Sequence, residues 1–139
     1  MTNWLRPLPT ITEHSAPFYA GLRQRKFLVP RCRACGDFNW TPYPACRSCL
    51  SEEHDWIEVS GRGDLYSYST VYVGPKSFGR DGPYTVAVVK LLEQPRTMIV
   101  MGNLVGCAIE DIRIDMPLRV CYLDVPGHDV TLYQFEPDR

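Results

Sequence analysis

Two Cys-x-x-Cys pairs constrain this chain more than any other feature of its sequence. The first pair is Cys32 and Cys35, followed by Gly36, and the second pair is Cys46 and Cys49. Each pair can form a tight knuckle, and the ten residues between the pairs can fold back as a short hairpin. Four thiolates then reach one tetrahedral metal ion, so the spacing predicts a zinc ribbon.

A site with four cysteine ligands leaves no open position for water or substrate. We therefore expect one structural Zn²⁺ ion at the four cysteines and no hydrolytic chemistry there. Iron in a rubredoxin-like site, or a degenerate ribbon without metal, are the alternatives. Arg31, Arg33 and Arg47 flank the cysteines. They either lower the pKa values of the thiols or simply solvate the ribbon.

The composition is that of a globular protein with a modest core. Of the 139 residues, 45% are hydrophobic and 22% are charged. No apolar run approaches the roughly 20 residues of a membrane span, and the first residues lack the pattern of a signal peptide. We expect a cytoplasmic protein without a membrane partner. In a reducing cytosol cysteines act as metal ligands or packed thiols, and Cys107 and Cys121 are predicted to be packed thiols.

Charge is unevenly distributed along the chain. Residues 1–50 carry seven Lys and Arg against two Asp and Glu, and residues 51–139 carry eight against fourteen. The basic first half favours an acidic partner or an anionic ligand. The excess is too mild to require nucleic acid, because neutralising phosphates needs a basic stripe.

The first thirty residues contain helix-start signals after a proline-containing arm. Thr10 and Glu13 have the spacing of a capping box, and Ser15 followed by Pro17 is a second start signal. A helix from about Ala16 to Arg25 follows. A helix of roughly ten residues is not stable alone, so it must pack against its own chain or against a partner. The apolar residues offered as partner-docking candidates are Trp4, Phe18, Tyr19 and Leu22.

The rest of the chain has the pattern of a β protein. Strands are expected on either side of the knuckles at residues 27–30 and 56–59, with a hairpin strand at residues 38–41. After the boundary at Ser60-Gly61-Arg62-Gly63, five short strands follow with one brief helical turn between the third and the fourth. This order matches the five-stranded OB-fold barrel. The predicted strands of the barrel are 65–73, 85–92, 97–104, 118–124 and 130–135.

Aromatic and basic residues of the predicted barrel are candidates for ligand binding. Tyr66, Tyr68 and Tyr72 alternate along one strand and would share a face able to stack an adenine or line an acyl groove. Lys76 and Arg80, in the loop 74–83, would meet phosphates. The alternative is that tyrosines lie there only because of their β propensity.

Ribbon and barrel together resemble the domain-of-unknown-function-35 family. The resemblance runs from about Phe18 to Phe135 and rests on the amino-terminal helix, both knuckles and several barrel motifs. It implies an amino-terminal arm and docking helix (1–30), a rubredoxin-like zinc ribbon (31–59) and an OB-fold (60–139). The barrel motifs are Ser60-Gly61-Arg62-Gly63, Asn103-Leu104-Val105-Gly106-Cys107 and residues 112–120.

The resemblance also implies a role as an accessory subunit. Members of the family are associated with acyl-CoA metabolism, beside thiolase-like or lipid-transfer-protein-like aldolase enzymes, or beside hydratases, in steroid or fatty-acyl degradation. The expected protein is a non-catalytic subunit of a hetero-oligomer whose partner carries out the chemistry. The sequence contains no nucleophile elbow, phosphate loop or metalloprotease motif, in agreement with that role. A stand-alone acyl-CoA or lipid carrier and a nucleic-acid-binding module are the alternatives.

The chain departs from the family pattern at three positions where members usually carry glycine. Gln24-Arg25 stands at the end of the helix, Leu50 follows the second knuckle, and Asp115 precedes Met116. The departure at Leu50 bears on the geometry of the knuckle, since leucine adopts a left-handed backbone conformation poorly.

Overall fold

The computed structural model describes residues 4–76, 82–93 and 99–139. It has one short helix, a two-stranded ribbon and a five-stranded barrel. Within the described ranges, no helix has the length and apolar character needed to cross a membrane. The elements in chain order are α1 (Ala16–Arg23), β1 (Phe27–Cys32), β2 (His54–Val59), β3 (Arg62–Val71), β4 (Tyr84–Leu91), β5 (Ile99–Leu104), a 3-10 turn (Ile109–Asp111), β6 (Pro117–Asp124) and β7 (Thr131–Pro137).

Helix α1 begins at the second of the two predicted start signals. Ser15 is its N-cap residue and Pro17 lies in its first turn, although no side chain caps the helix. The helix ends at Arg23, two residues earlier than expected. Arg25 adopts φ 60°, and its N–H bonds to the carbonyl of Leu22, while the next N–H bonds to the carbonyl of Gly21. This pair of bonds is a Schellman ending, in which a left-handed residue stops the helix.

The ribbon consists of β1 and β2, which pair antiparallel from Phe27 opposite Val59 to Cys32 opposite His54. The hairpin strand expected at residues 38–41 is reduced to one bridge between Arg31 and Phe38. The next aromatic residue, Trp40, packs against rings of α1 and β1 instead of continuing a ladder.

The barrel closes in the order β3-β4-β5-β7-β6, and this arrangement confirms the predicted OB-fold. Its strands begin and end close to the predicted bounds. Strand β3 returns to β6 over only three residue pairs, and β5 meets β7 in parallel at one pair, Leu104 and Phe135. The interior is filled by side chains that are essentially inaccessible to water, namely Leu65, Ala87, Val89, Leu91, Val100, Leu118 and Phe135.

A β-bulge in β3 changes which tyrosines share a face. Leu65 pairs with Val89, but Ser67 pairs with Val88, so Tyr66 is the extra residue of the bulge. Beyond the bulge Tyr68 lies opposite the buried Ala87. Paired residues of neighbouring strands point to the same side of a sheet. The simple alternation expected for β3 is therefore wrong, and Tyr66 and Tyr68 do not form one stacking face.

Four aromatic rings join the helix, the ribbon and the barrel, and we call them the junction cluster: Phe18, Phe27, Trp40 and Tyr133. The ring centre of Phe18 lies 4.9 Å from that of Trp40 and 5.9 Å from that of Tyr133. The rings of Phe27 and Tyr133 are 5.2 Å apart and nearly perpendicular. Such edge-to-face contacts add to the free energy of burial. The three parts of the chain consequently share one core.

Glycines at the boundary between ribbon and barrel allow the strands to approach closely. Gly61 adopts φ 73°, its carbonyl accepts a bond from the N–H of Val120, and a side chain in its place would overlap the Val120 side chain. A side chain at Gly63 would overlap the backbone of Lys90. The glycine pair predicted as a boundary is thus required by the packing of the barrel's first strand.

Candidate metal centre and docking surfaces

The four cysteines of the two knuckles converge on one point. Their sulfur atoms all lie within 4.8 Å of one another. The Sγ atoms of Cys32 and Cys49 are 3.5 Å apart, and those of Cys35 and Cys46 are 3.6 Å apart. A tetrahedron of thiolates at about 2.3 Å from a metal has edges of about 3.8 Å. The donor set therefore fits a tetrahedral metal ion, as the sequence predicted.

The two knuckles have the same backbone geometry. In the first, the N–H of Gly36 bonds to the carbonyl of Cys32 at 2.9 Å; in the second, the N–H of Leu50 bonds to that of Cys46 at 2.8 Å. Gly36 adopts φ 80° and Leu50 adopts φ 66°. The structure thus places Leu50 in the conformation for which glycine is suited.

The surroundings of the four thiols shift their pKa values in different directions. A hydrogen bond from the Asn39 side chain lowers the pKa of Cys46 to about 6. The N–H of Asp37 acts to lower the pKa of Cys35, but desolvation and the neighbouring thiols raise it to about 12. The pKa of Cys32 is lowered, chiefly by a backbone N–H bond at Cys35. Binding of a metal ion would displace the protons of the thiols, since cysteine ligands must be deprotonated.

Asn39, in the segment between the knuckles, supports the second knuckle. Its side chain is buried, and its Oδ1 atom accepts the N–H of Arg47 at 3.0 Å. The same side chain bonds to the Cys46 sulfur. An outer partner of this kind orients a ligand and tunes its basicity. Sequence reasoning missed Asn39, because an asparagine between two knuckles matches no motif; its signal is burial, which only the fold reveals.

Further polar bonds tie the knuckles together and engage the flanking arginines. The Ser48 hydroxyl donates to Asp37 at 2.6 Å, linking the second knuckle to the first. Arg33 pairs with Asp55 at 2.8 Å, and Arg31 donates to the carbonyl of Gly36. These bonds direct two of the three flanking arginines to oxygen atoms of the ribbon. The two isolated thiols, Cys107 and Cys121, are both half-buried. Burial raises the pKa of the Cys121 thiol.

The structure divides the four docking candidates into two groups. Phe18 and Leu22 are buried, with 4% and 0% of their surface exposed. They pack within the chain, as the first of the two sequence interpretations expected. Tyr19 and Trp4 are only partly buried. The docking prediction is therefore left with Tyr19 and Trp4.

A shallow groove of about 270 Å³ runs beside Tyr19, between α1 and the turn that follows β6. Ala20 and Val130 contribute to its walls, and Ile11 of the arm closes one side. Leu5 and Leu8, nearer the start of the arm, are exposed to water like Ile11. The amino-terminal region therefore exposes several apolar side chains, next to the ion pair of Arg23 and Asp129 that also lines the groove.

Among the described residues, the ligand-binding candidates of the barrel do not line one common cavity. Tyr66, which is 56% exposed, lines a cavity of about 340 Å³ with Lys90 and Leu92. Tyr72 and Lys76 are exposed in the segment after β3 and do not line that cavity. Tyr68 lies beyond the bulge, as described above, and Arg80 lies outside the described residues.

Comparison with known proteins agrees with this architecture. Residues 20–55 match the family model of the ChsH2 rubredoxin-like zinc ribbon domain, and residues 56–123 match that of the ChsH2 C-terminal OB-fold domain. A DUF35 domain-containing scaffold protein of Methanocaldococcus jannaschii is 33% identical, over 84% of this chain and 85% of its own length. The chain belongs to the DUF35 family. The resemblance stated from the sequence is thereby confirmed.

This DUF35 protein is also similar to a solved structure. The match is to a chain of an Ltp2-ChsH2(DUF35) aldolase, with a TM-score of 0.81 and 34% identity, over 94% of this chain and 98% of that chain. The arrangement of helix, ribbon and barrel is thus shared with a chain taken from an enzyme complex.

Two curated relatives of this DUF35 protein are named as enzyme subunits. A probable enoyl-CoA hydratase alpha subunit of Thermomonospora curvata is 35% identical over 96% of this chain but only 40% of its own length. The benzoylsuccinyl-CoA thiolase subunit BbsA of Geobacter metallireducens is 28% identical, over 76% of this chain and 70% of its own length. The chain therefore spans less than half of the hydratase relative and most of the thiolase relative.

Proposed function

We propose that this DUF35 protein is a non-catalytic accessory subunit of a thiolase-like enzyme. The enzyme would act on a CoA thioester by acyl transfer, condensation or retro-aldol cleavage, in the degradation of steroids or fatty acyl chains. One observation carries the proposal. This chain matches nearly the full length of a DUF35 chain from an aldolase complex, in both sequence and fold. The names of the hydratase and thiolase relatives support a role as a subunit.

The architecture supports a role in assembly. Among the described residues, the four cysteines are the one group of three or more side chains suited to hold a metal ion. A four-thiolate site is coordinatively closed, so its contribution is to hold the ribbon in shape. The barrel interior is filled by side chains, as described above. We therefore expect the chain to bind other molecules through its outer surface.

We propose that the metal is a single Zn²⁺ ion. The four sulfur atoms are spaced as a zinc tetrahedron requires, and zinc binds thiolates without a redox change. Bound there by Cys32, Cys35, Cys46 and Cys49, the ion would join the two knuckles. It would hold the ribbon against the junction cluster.

We propose that the amino-terminal region and the ribbon form the docking side. Tyr19 borders the groove beside α1, and Trp4 lies at the start of the arm. Exposed apolar surface of this kind is typical of interaction sites. The free thiols of the chain agree with a cytoplasmic location, because a reducing compartment maintains them.

Co-expression tests the proposal. The chain is produced alone and together with the thiolase-like enzyme encoded nearest to it. We expect a stable hetero-oligomer on size-exclusion chromatography, turnover of CoA thioesters by the complex, and none by the chain alone. Full activity of the enzyme without the chain, together with no association, would contradict the proposal.

A stand-alone acyl-CoA carrier is the second candidate, and the cavity beside Tyr66 offers its apolar part a surface at Leu91 and Leu92. Lys90 supplies one cation there, but Asp64 and Asp115 line the same cavity and oppose the phosphates of CoA, so the subunit is the better-supported function. Isothermal titration of the isolated chain with acetyl-CoA and a long-chain acyl-CoA separates the two functions. Micromolar binding by the chain alone supports the carrier, and heat of binding that appears only with the complex supports the subunit.

A further inference from the structure

We propose that Cys35 and Cys49 are a site of reversible oxidation by hydrogen peroxide, and that this oxidation releases the metal from the ribbon. The inference rests on the proposed Zn²⁺ ion and not on the enzyme partner. Cys35 and Cys49 are the exposed ligands, one in each knuckle. Cys32 and Cys46 are buried, with 3% and 4% of their surface exposed. Each knuckle therefore presents one cysteine to solvent and covers the other.

Hydrogen bonds stabilise the negative charge of the two buried sulfur atoms. The Sγ atom of Cys46 accepts the N–H of Ser48 at 3.4 Å and a bond from the Asn39 side chain. The Sγ atom of Cys32 accepts bonds from two backbone N–H groups of the first knuckle. Donors that stabilise a thiolate make it a weaker nucleophile, and burial also denies access to an oxidant. We therefore expect Cys32 and Cys46 to react slowly.

The two exposed sulfur atoms have fewer hydrogen-bond donors. Within the described chain, one backbone N–H reaches each of them, that of Asp37 for Cys35 and that of Ser51 for Cys49. Both sulfurs are thiolates in the metal-loaded ribbon, because cysteine ligands must be deprotonated. Susceptibility to oxidation follows thiolate character and exposure, and these two residues combine both properties.

Each exposed sulfur has a neighbour in the other knuckle that can complete a disulfide. The Sγ atom of Cys49 lies 3.5 Å from that of Cys32, and the Sγ atom of Cys35 lies 3.6 Å from that of Cys46. The Cys49 thiolate attacks one peroxide oxygen, so an S–O bond forms, the O–O bond breaks and hydroxide leaves. The Cys32 thiolate then attacks the Cys49 sulfur, forms the S–S bond and expels a second hydroxide. Two electrons thus pass from the two sulfurs to one peroxide, and Cys35 reacts with Cys46 in the same way.

One such disulfide removes two of the four ligands of the site. The two thiolates that remain are too few for the four-coordinate site that a structural zinc ion requires, so the ribbon releases its metal. A structural site that loses its metal also loses folding free energy. Because a dithiol can reduce the disulfide, the ribbon can return to its metal-bound form. The two knuckles thus form a redox-sensitive switch.

The first test follows metal and thiols together in the zinc-loaded chain. Cys107→Ser and Cys121→Ser are combined, so that every remaining thiol belongs to the site. Hydrogen peroxide is added, and the released metal is measured with a chromogenic chelator. We expect about two thiols to be lost for each metal ion released, and dithiothreitol with added zinc to restore both. The unmodified chain is the control and should release its metal at the same rate.

The second test identifies the sulfur atoms that react. The zinc-loaded chain is treated with a limiting amount of iodoacetamide, and only singly labelled chains are mapped by mass spectrometry, because loss of one ligand frees the others. Cys35 and Cys49 should carry at least about tenfold more label than Cys32 and Cys46. After peroxide treatment, the disulfide should join the two knuckles.

Three results would overturn the inference. Equal labelling of the four cysteines would refute the division into exposed and protected ligands. Retention of the metal in peroxide, or a loss of thiols that dithiothreitol does not reverse, would refute the switch. A purified chain that contains no zinc would refute the proposed metal and this inference together. Each of these results leaves the proposed role as an enzyme subunit standing, since that role is tested by co-expression.

Discussion

The guanidinium of Arg25 and the carboxylate of Asp124 form a two-pronged ion pair, with N–O distances of 3.0 and 2.8 Å. The pair connects the end of α1 to the end of β6, across 99 positions of sequence. The Thr131 hydroxyl donates to the same carboxylate at 2.7 Å. Arg25 and Thr131 hold the pKa of Asp124 well below its usual range. The helix is therefore attached to the barrel by charge as well as by the junction cluster.

Replacement of Asp124 by Asn should lower the stability of the chain in a pH-dependent manner. A carboxyl whose pKa is lower in the folded state contributes stability above its unfolded pKa of about 4, and loses it as pH falls towards the folded value. Thermal unfolding of Asp124→Asn and the unmodified chain should therefore differ by a few degrees at pH 7. The difference should shrink progressively below about pH 4. Asp129→Asn, which removes the more exposed pair with Arg23, is the control and should change less.

Loss of one cysteine ligand should disrupt folding or assembly and should not slow a chemical step. Cys35→Ser and Cys46→Ser each remove a thiolate from the tetrahedron, and structural zinc sites supply much of the folding free energy of small modules. Elemental analysis should find about one zinc per unmodified chain and much less in the variants. Cys121→Ser, at a half-buried thiol outside the cluster, should retain the metal. A variant that lacks metal yet forms a fully assembled, merely slow complex would contradict this view of the ribbon.

Asn39→Ala should weaken both the fold of the ribbon and its hold on the metal. The substitution leaves the N–H of Arg47 without its partner and removes a donor to Cys46, which costs about 1–3 kcal/mol for a buried group. We expect metal affinity to fall about tenfold or more, as measured by competition with a chromogenic chelator. Asn103→Ala, at a half-buried position on β5, should leave metal affinity unchanged. Equal affinity in both variants would show that Asn39 does not support the site.

Phe18 and Tyr19 are adjacent in sequence but should respond differently to truncation. Phe18→Ala removes a ring that contacts Phe27, Trp40 and Tyr133, and truncation of a buried phenylalanine costs about 3–5 kcal/mol. Tyr19→Ala should cost less in denaturant unfolding but should weaken the complex with the enzyme subunit. If both variants unfold alike and bind alike, the separation of core and docking residues is wrong.

Much of the fold was predictable because its signals are local. The knuckle spacing predicted four cysteines at one point, and the cysteines do converge. Alternating apolar residues and turn residues predicted five barrel strands, and the barrel closes with five. The three positions that depart from the glycine pattern of the family, Arg25, Leu50 and Asp115, are the left-handed residues other than glycine in the described chain.

Other features depend on contacts between residues that are distant in sequence. The bulge at Tyr66 arises from pairing with β4, and a shift of one residue moves every later side chain of the strand to the other face. The pattern of β3 alone contains no sign of that shift. The role of Asn39 likewise depends on its burial beside Cys46, which no motif encodes.

The amino-acid sequence by itself determined the cluster of four cysteines, the order of helix, ribbon and barrel, and the family. Each of these depends on local residue patterns, either in one segment or in a series of segments along the chain. Only the tertiary structure decided that Phe18 and Leu22 belong to the core, and that the apolar side chain exposed at a strained position is Leu50. Whether an apolar residue is buried or offered to a partner depends on what the rest of the chain places against it. Spacing along the chain does not contain that information.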